Sequence, residues 1–275
     1  MTINLFEMLM WTFRRNENDV VNLYDSLSPI MQLSTGGEML NFGLWDESTN
    51  TPLEAQMKLC DATGKMANLS NVVSLIDVGS GILGPAKKWH LDYPNLTISA
   101  VNINFNQLKN SKSDYVAKLN STSRFLPFAD NIIDRVIALE SAQHFRPLED
   151  FLAESKRVLK DDGVLVMAIP VVNDKSSGLL DLGILSFTLS SEHYTYESVS
   201  SKISNIGFKI LESQNLGLNV YVPLADYYFK HRNELQEKIK TKYSSSTEKI
   251  LFSSLKKMKQ MSELGLIDYV LLKCA

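Results

Sequence analysis

The amino-acid sequence predicts an α/β fold in which a largely parallel sheet is covered by helices on both faces. Three observations carry that expectation. From Val72 onward, short β-branched apolar runs alternate with segments of helical length, the pattern of repeated βαβ units. The first run, Val72 to Val78, passes straight into Gly79-Ser80-Gly81 and then into a helix, as a buried parallel strand does at the ligand-binding end of an open sheet. The composition is that of an ordinary globular protein: 44% of the 275 residues are hydrophobic and 21% charged, which excludes wholesale disorder.

Taken in order, Met1 to Phe13 is apolar but interrupted by Glu7 and followed by Arg14-Arg15. It lacks the layout of a secretory signal and falls short of the roughly 20 residues a membrane span needs. We read it as an amphipathic helix that docks on the body or on a partner. Residues 1–70 read as a helical cap or lid, and residues 71–275 as the ligand-binding domain. A periodic helix runs from Pro52 to Asn68, with proline at a position where its missing N–H costs little. After the strand Val72–Val78 come a helix (Pro85–Leu91), a strand (Leu96–Val101) and a helix (Phe105–Lys118). A strand (Ile133–Leu139), a helix (Leu148–Leu159) and a strand (Val164–Ile169) follow. Beyond Pro170 the pattern gives a helix at Tyr196–Ile206, a strand at Phe208–Gln214, helical material from Pro223 to Met261 and a last strand, Ile267–Lys273. Ser244-Ser245-Ser246 predicts a break between helices. Segments near 175–195 and 216–262 are expected on the lid and substrate side.

Charge and cysteine usage narrow the function classes. With 28 basic and 31 acidic side chains the chain is slightly acidic, unlike a general DNA binder. Two cysteines make no disulfide framework, and no cluster has metal-ligand spacing. No metal and no stable membrane insertion are expected, and the chain reads as cytoplasmic, a monomer or a homo-oligomer. Between Lys230 and Gln260 nine Lys/Arg face three Glu, which reads first as a solvated helix face.

The strongest local signal is Leu75-Ile76-Asp77-Val78-Gly79-Ser80-Gly81-Ile82-Leu83-Gly84-Pro85-Ala86. Gly79, Gly81 and Gly84 satisfy the dinucleotide spacing, but an acid stands two residues before the first glycine. No acid ends the second strand, which closes Val101-Asn102-Ile103-Asn104, and a long helical region comes first. Asp-x-Gly-x-Gly after a helical cap instead resembles motif I of the class I S-adenosylmethionine methyltransferases. Further matches follow in order: Leu126-Pro127-Phe128-Ala129-Asp130, then Glu140-Ser141-Ala142-Gln143-His144-Phe145, then Glu154 to Gly163. Gly81 to Ala86 and Leu40 to Asp46 are similar to segments of the sterol and tocopherol C-methyltransferases and of natural-product sugar O-methyltransferases of the rebeccamycin type.

That resemblance implies a Rossmann-like sheet of seven strands with the last antiparallel, and a helical insertion before that strand. It implies S-adenosylmethionine as cofactor, S-adenosylhomocysteine as product, and a small, partly apolar metabolite as the acceptor of the methyl group through a hydroxyl, amine or carbon. By the same resemblance Asp77, Gly79 and Gly81 surround the methionine and sulfonium, and Tyr24, Gln56 and Glu140 lie close to them. Asn102 attends the ribose, Ser123 and Arg124 the adenine, and Ile103 and Gln107 also bind the cofactor. Leu83, where relatives have glycine, places bulk near the methionine moiety. His144 is the candidate base, facing the methyl group, because an imidazole titrates near physiological pH, with Glu140 beside it as a second candidate. Trp45, Tyr194, Tyr221, Tyr227 and Tyr228 are available either to a substrate pocket or to packing. Two rival functions stay open on the sequence. One is a protein that binds S-adenosylmethionine without transferring its methyl. The other is an RNA or protein methyltransferase that uses the basic 230–260 region.

Overall fold

The computed structural model describes residues 16–173 and 192–275. The expected helix at Met1–Phe13 and nearly all of the 175–195 segment lie outside the described residues.

Seven strands form one sheet in the order β3-β2-β1-β4-β5-β7-β6. The central strand β1 (Ser74–Val78) pairs in parallel with β2 (Thr97–Asn102) and with β4 (Ile133–Leu139). β3 (Ala117–Asn120) continues the parallel ladder beyond β2, and β5 (Leu159–Val172) beyond β4. β7 (Ile267–Cys274) is antiparallel to both β5 and β6 (Ile210–Asn215). The strand order therefore reverses between β1 and β4, and ligands bind beyond the carboxyl ends of strands at such a switch point.

Alternation along the strands builds two apolar layers, one on each face. On one face Leu75, Ile137, Val166 and Leu271 pack under α2 (Pro52–Met66), α3 (Gly84–Asp92), α7 (Gly217–Lys230), α8 (Arg232–Lys240) and α9 (Ser245–Glu263). On the other, Ile76, Val136, Leu165 and Val270 pack under α5 (Leu148–Val158) and α6 (Tyr196–Asn205). Tyr194, Tyr221 and Tyr228 are buried in this packing, and Trp45 is buried beside Tyr227.

The first described helix, α1 (Glu17–Thr35), is fixed at both ends. Asn16 accepts from the Asn18 N–H while Asp19 reaches back to the Asn16 N–H, and Gly36 closes the helix in the left-handed region. It lies across the carboxyl ends of the strands and packs against α8. Pro52 starts α2, as the sequence predicts, with Thr51 as its cap; the helix ends at Met66, short of the expected Asn68.

The structure corrects other boundaries too. The helix expected to reach Lys118 stops at Asn110 (α4, Phe105–Asn110), where the Ser111 hydroxyl bonds back to the Gln107 carbonyl at 2.6 Å. The chain then forms the edge strand β3, which is mostly exposed and so lacks the apolar pattern that marks a buried strand. β5 extends at both ends of the predicted Val164–Ile169, because Leu159 pairs with Ile133 and Pro170–Val172 with β7. The helical region after β6 begins at Gly217 instead of Pro223. Asp268 accepts from the Gly217 N–H at 2.8 Å and anchors a first turn that carries no cap of its own. The predicted helix break falls just ahead of Ser245, at residues 241–244, with Ser244 capping α9 and Ser245 and Ser246 in its first turn.

Candidate active site

A pocket opens where β1, β2 and β4 end, roofed by α1. Counting the open solvent at its mouth, it spans about 980 Å³.

The β1 side of the pocket is built from backbone. The Gly79 and Ser80 N–H groups donate to the Val101 carbonyl at 2.8 and 3.2 Å, folding the chain back over β2. Gly79 and Gly81 both hold positive φ, 76° and 54°, but for different steric reasons. A Cβ on Gly79 would lie 2.3 Å from the Ser141 Cβ, so that glycine admits the neighbouring β4 loop. A Cβ on Gly81 would meet only Leu40, at 3.3 Å, and would otherwise project into open space. Leu83 also takes positive φ, 69°, yet it is wholly buried and absent from the pocket wall. Its bulk therefore enters the core, not the methionine end as the sequence suggested.

Asp77 is buried at the head of this turn, and among the described residues its Oδ2 has no hydrogen-bond partner; the same holds for the Ser80 hydroxyl. Burial raises the Asp77 carboxyl to about 7. Both residues line the pocket wall.

On the β4 side, Glu140 occupies a positive φ of 52° and turns its carboxylate inward. It accepts from the Phe42 N–H at 2.8 and 3.1 Å and from the Tyr269 hydroxyl at 2.9 Å. Burial raises it to about 8, against the pull of those two donors. Glu140 thus ties β4 to β7 and to the Leu40–Phe42 loop while it lines the pocket floor. Next, the Ser141 hydroxyl donates to the Val78 carbonyl, and a single 3₁₀ turn, Ala142–His144, delivers His144. The His144 Nε2 lies 2.8 Å from the Tyr24 hydroxyl of α1, with the two rings edge-on at 5.3 Å. The cap and the sheet meet at this pair.

At the β2 end Asn102 uses its amide fully. Its Nδ2 donates to the Gly81 carbonyl at 3.0 Å and to Gln107 Oε1 at 2.8 Å, and its Oδ1 accepts from the Asn104 N–H. Gln107 in turn donates to the Ser28 hydroxyl on α1. A carboxylate at position 102 could make neither donation, so the local network calls for an amide. Further along α1, Asp25 accepts from Asn104 and Asn106, and Glu17 accepts from Thr122.

Among the residues singled out in the sequence, Tyr24, Asp77, Gly79, Gly81, Asn102, Ile103, Gln107, Ser123, Glu140 and His144 converge on the one pocket. Gln56 and Arg124 do not line it. Gln56 is buried behind the wall, donating to the Met39 and Asn41 carbonyls and so shaping the Leu40–Asn41 segment. Arg124 turns outward to pair with Glu17 at 3.3 Å. Residues that sequence reasoning missed are Glu17, Val20 and Val21 on α1, with Leu40 and Asn41 after it. The Asn16–Asp19 capping box and the i, i+3/i+4 spacing of Glu17, Val20, Val21 and Tyr24 are the signals that place the first three on one helix face. Trp45, Tyr194, Tyr221, Tyr227 and Tyr228 are absent from the described lining and serve packing.

Comparison with known proteins agrees with this geometry. Residues 76–167, from β1 into β5, match the family model described as a methyltransferase domain. The chain is 25% identical to an erythromycin 3''-O-methyltransferase of Saccharopolyspora erythraea over 95% of this chain and 91% of that one. It is 31% identical to a sterol 24-C-methyltransferase of Gibberella zeae, over 34% of this chain and 26% of the relative. Among solved structures, a cyclopropane synthase of Mycobacterium tuberculosis superposes with a TM-score of 0.81 at 17% identity, covering 94% of this chain and 98% of that one.

Proposed function

We propose that this class I S-adenosylmethionine-dependent methyltransferase methylates a hydroxyl of a small, partly apolar metabolite, with His144 as the base. The observation that carries the proposal is the convergence, in one pocket, of the open Gly81 turn, the buried Asp77 carboxyl and the His144–Tyr24 pair.

The residues present suit the cofactor. Its amino-acid end bears an ammonium and a carboxylate; the Asp77 carboxylate suits the first, and the open backbone at Gly81 lets the second approach closely. Asn102, Gln107 and the Ser121–Ser123 hydroxyls line the β2–β3 side, where the uncharged nucleoside fits. When bound, S-adenosylmethionine supplies a methyl on a positively charged sulfur, so the leaving group departs as a neutral thioether.

The protein contributes alignment, dryness and a destination for the proton. α1 and the sheet ends hold the acceptor oxygen in line with the methyl, near-attack distances being roughly 3–3.5 Å. As the new O–C bond forms and the C–S bond breaks, His144 takes the hydroxyl proton. The Tyr24 hydroxyl, 2.8 Å from Nε2, fixes the ring's orientation and so the nitrogen presented to the acceptor. Glu140, already committed to Phe42 and Tyr269, keeps the β4 loop in place and supplies no free base. Should the acceptor be a carbon or a free amine, the demand on His144 falls.

The test incubates the protein with S-adenosylmethionine and a panel of hydroxylated macrolides and glycosides. The expected result is a mass gain of one methylene in an acceptor together with equal formation of S-adenosylhomocysteine. Cofactor binding with no transfer to any hydroxyl, amine or carbon acceptor would favour the non-methylating alternative. The macromolecular reading finds less support. Of the nine basic residues between Lys230 and Gln260, Arg232, Lys238, Lys240 and Lys259 are paired with acids of the same helical region.

A further inference from the structure

One lining residue of α1 has no place in the mechanism. Glu17 stands in the first turn of α1, on the face that carries Val20, Val21 and Tyr24 into the pocket. It faces the loop Ser121–Ser123 that follows β3, on the opposite side of the pocket from His144. Its Oε1 accepts from the Thr122 hydroxyl at 2.5 Å and pairs with Arg124 Nε at 3.3 Å. Its Oε2 takes no hydrogen bond among the described residues. The β3 loop itself, Ser121-Thr122-Ser123-Arg124, brings no acid of its own.

This side of the pocket has a distinct character. Ile103, Val20 and Val21 offer apolar faces to a flat ring, and Ser121, Thr122 and Ser123 offer hydroxyls. Glu17 is the acidic side chain among the described lining residues on that side; Asp77, Glu140 and His144 sit toward β1 and β4, and Glu38 pairs with Lys87 of α3. A planar base with an exocyclic amine presents two N–H donors at its edge, and a carboxylate already steered by a hydroxyl and a guanidinium is their natural acceptor.

We propose that Glu17 of α1 recognises the exocyclic amine of the cofactor's adenine, so that the roof of the pocket, and not the sheet, reads the base. This rests on the assignment of S-adenosylmethionine above and adds to it a specificity-determining residue from a chain-distant element. The adenine is then held by a group that arrives only when α1 lies over the sheet. Nucleoside recognition and closure become one event.

The test compares binding of S-adenosylhomocysteine with that of S-inosylhomocysteine, in which a carbonyl replaces the amine. The wild-type protein should prefer the adenosine compound by roughly tenfold, the usual scale for a charge-assisted hydrogen bond at a half-exposed site. In Glu17→Gln the preference should fall to about twofold or less, because an amide can turn its oxygen to an amine or its nitrogen to a carbonyl. Asp25→Ala, which loosens α1 through Asn104 and Asn106 without touching the β3 loop, should weaken both compounds alike and keep their ratio. A Glu17→Gln protein that binds both compounds more weakly but keeps the wild-type ratio would overturn the proposal and leave Glu17 a latch. Failure of the wild-type protein to bind either compound would bring down the cofactor assignment itself, and this inference with it.

Discussion

The two walls of the pocket are made differently. The sheet wall consists of backbone and buried side chains at the ends of β1, β2 and β4, held by strand register. Gly79, Gly81 and Asp77 are placed by ladders that run the length of the strands. The roof, α1, is placed by individual side-chain contacts: Asp25 to Asn104 and Asn106, Glu17 to Thr122, Ser28 to Gln107, and Tyr24 to His144. Several of these contacts are partly exposed, and each contributes on the order of 0.5–1.5 kcal/mol. A wall fixed by a sheet cannot open without unfolding. A roof fixed by a handful of hydrogen bonds can lift while the sheet stays intact. The sheet should therefore set whether the cofactor binds, and the roof whether the bound state is closed and reactive.

The largest expected effect lies on the sheet side. Gly81→Val puts a branched side chain into the open space above the turn and forces it into positive φ, while the core stays untouched. S-adenosylhomocysteine binding measured by calorimetry should disappear while the circular dichroism spectrum is kept. Unchanged affinity in a folded variant would break the claim that this turn carries the ligand.

His144→Ala, at the meeting point of the two walls, comes next. On a hydroxyl acceptor kcat should fall by roughly 10²–10⁴, the range for losing a general base. S-adenosylhomocysteine affinity should fall only a few-fold, the cost of the lost Tyr24 contact that helps hold α1. A variant within a few-fold of wild type would leave the histidine a structural role only.

Asn102→Asp should lower cofactor affinity by about tenfold. It replaces donors to the Gly81 carbonyl and Gln107 with a carboxylate facing two oxygens. If affinity instead improves, position 102 acts on the ligand directly and not through the turn.

The smallest effect is one of pH. The unliganded Asp77 carboxyl is raised to about 7 by burial, so it holds its proton below that value. An ammonium placed beside it favours the ionised form, and binding then releases a proton. S-adenosylhomocysteine affinity should rise as pH climbs from about 6 toward 7.5 and level off above. Without ligand, the raised carboxyls of Asp77 and Glu140 favour folding fully only in the acid range. That contribution is lost as pH rises through about 7 and about 8, respectively. Calorimetry in buffers of different ionisation enthalpy would detect the proton. No release near pH 6.5 would mean the ammonium sits elsewhere.

The same contrast decides what could be read from the sequence. The sheet wall was legible because a strand running into glycines is a local signal, and because motif order tracks strand order. Asp77, Gly79, Gly81 and His144 all reach the pocket as expected. The roof was largely hidden, since its contacts join residues some 80 to 120 positions apart, such as Asn104 with Asp25 and His144 with Tyr24. No periodicity reports a contact at that range. Leu83 was misread because its family position suggests the pocket, whereas the αL turn directs its side chain to the core. β3 was missed because an exposed edge strand has no buried face to write a pattern.

Hydrogen exchange with and without saturating S-adenosylhomocysteine tests the division between sheet and roof most directly. The amides of α1, Glu17–Thr35, should slow by roughly tenfold or more on ligand binding, since closure removes their local opening. Those of β1 and β4, Ser74–Val78 and Ile133–Leu139, should already be slow and change little. Equal protection of α1 in the two states would make the roof a static part of the body and contradict the account.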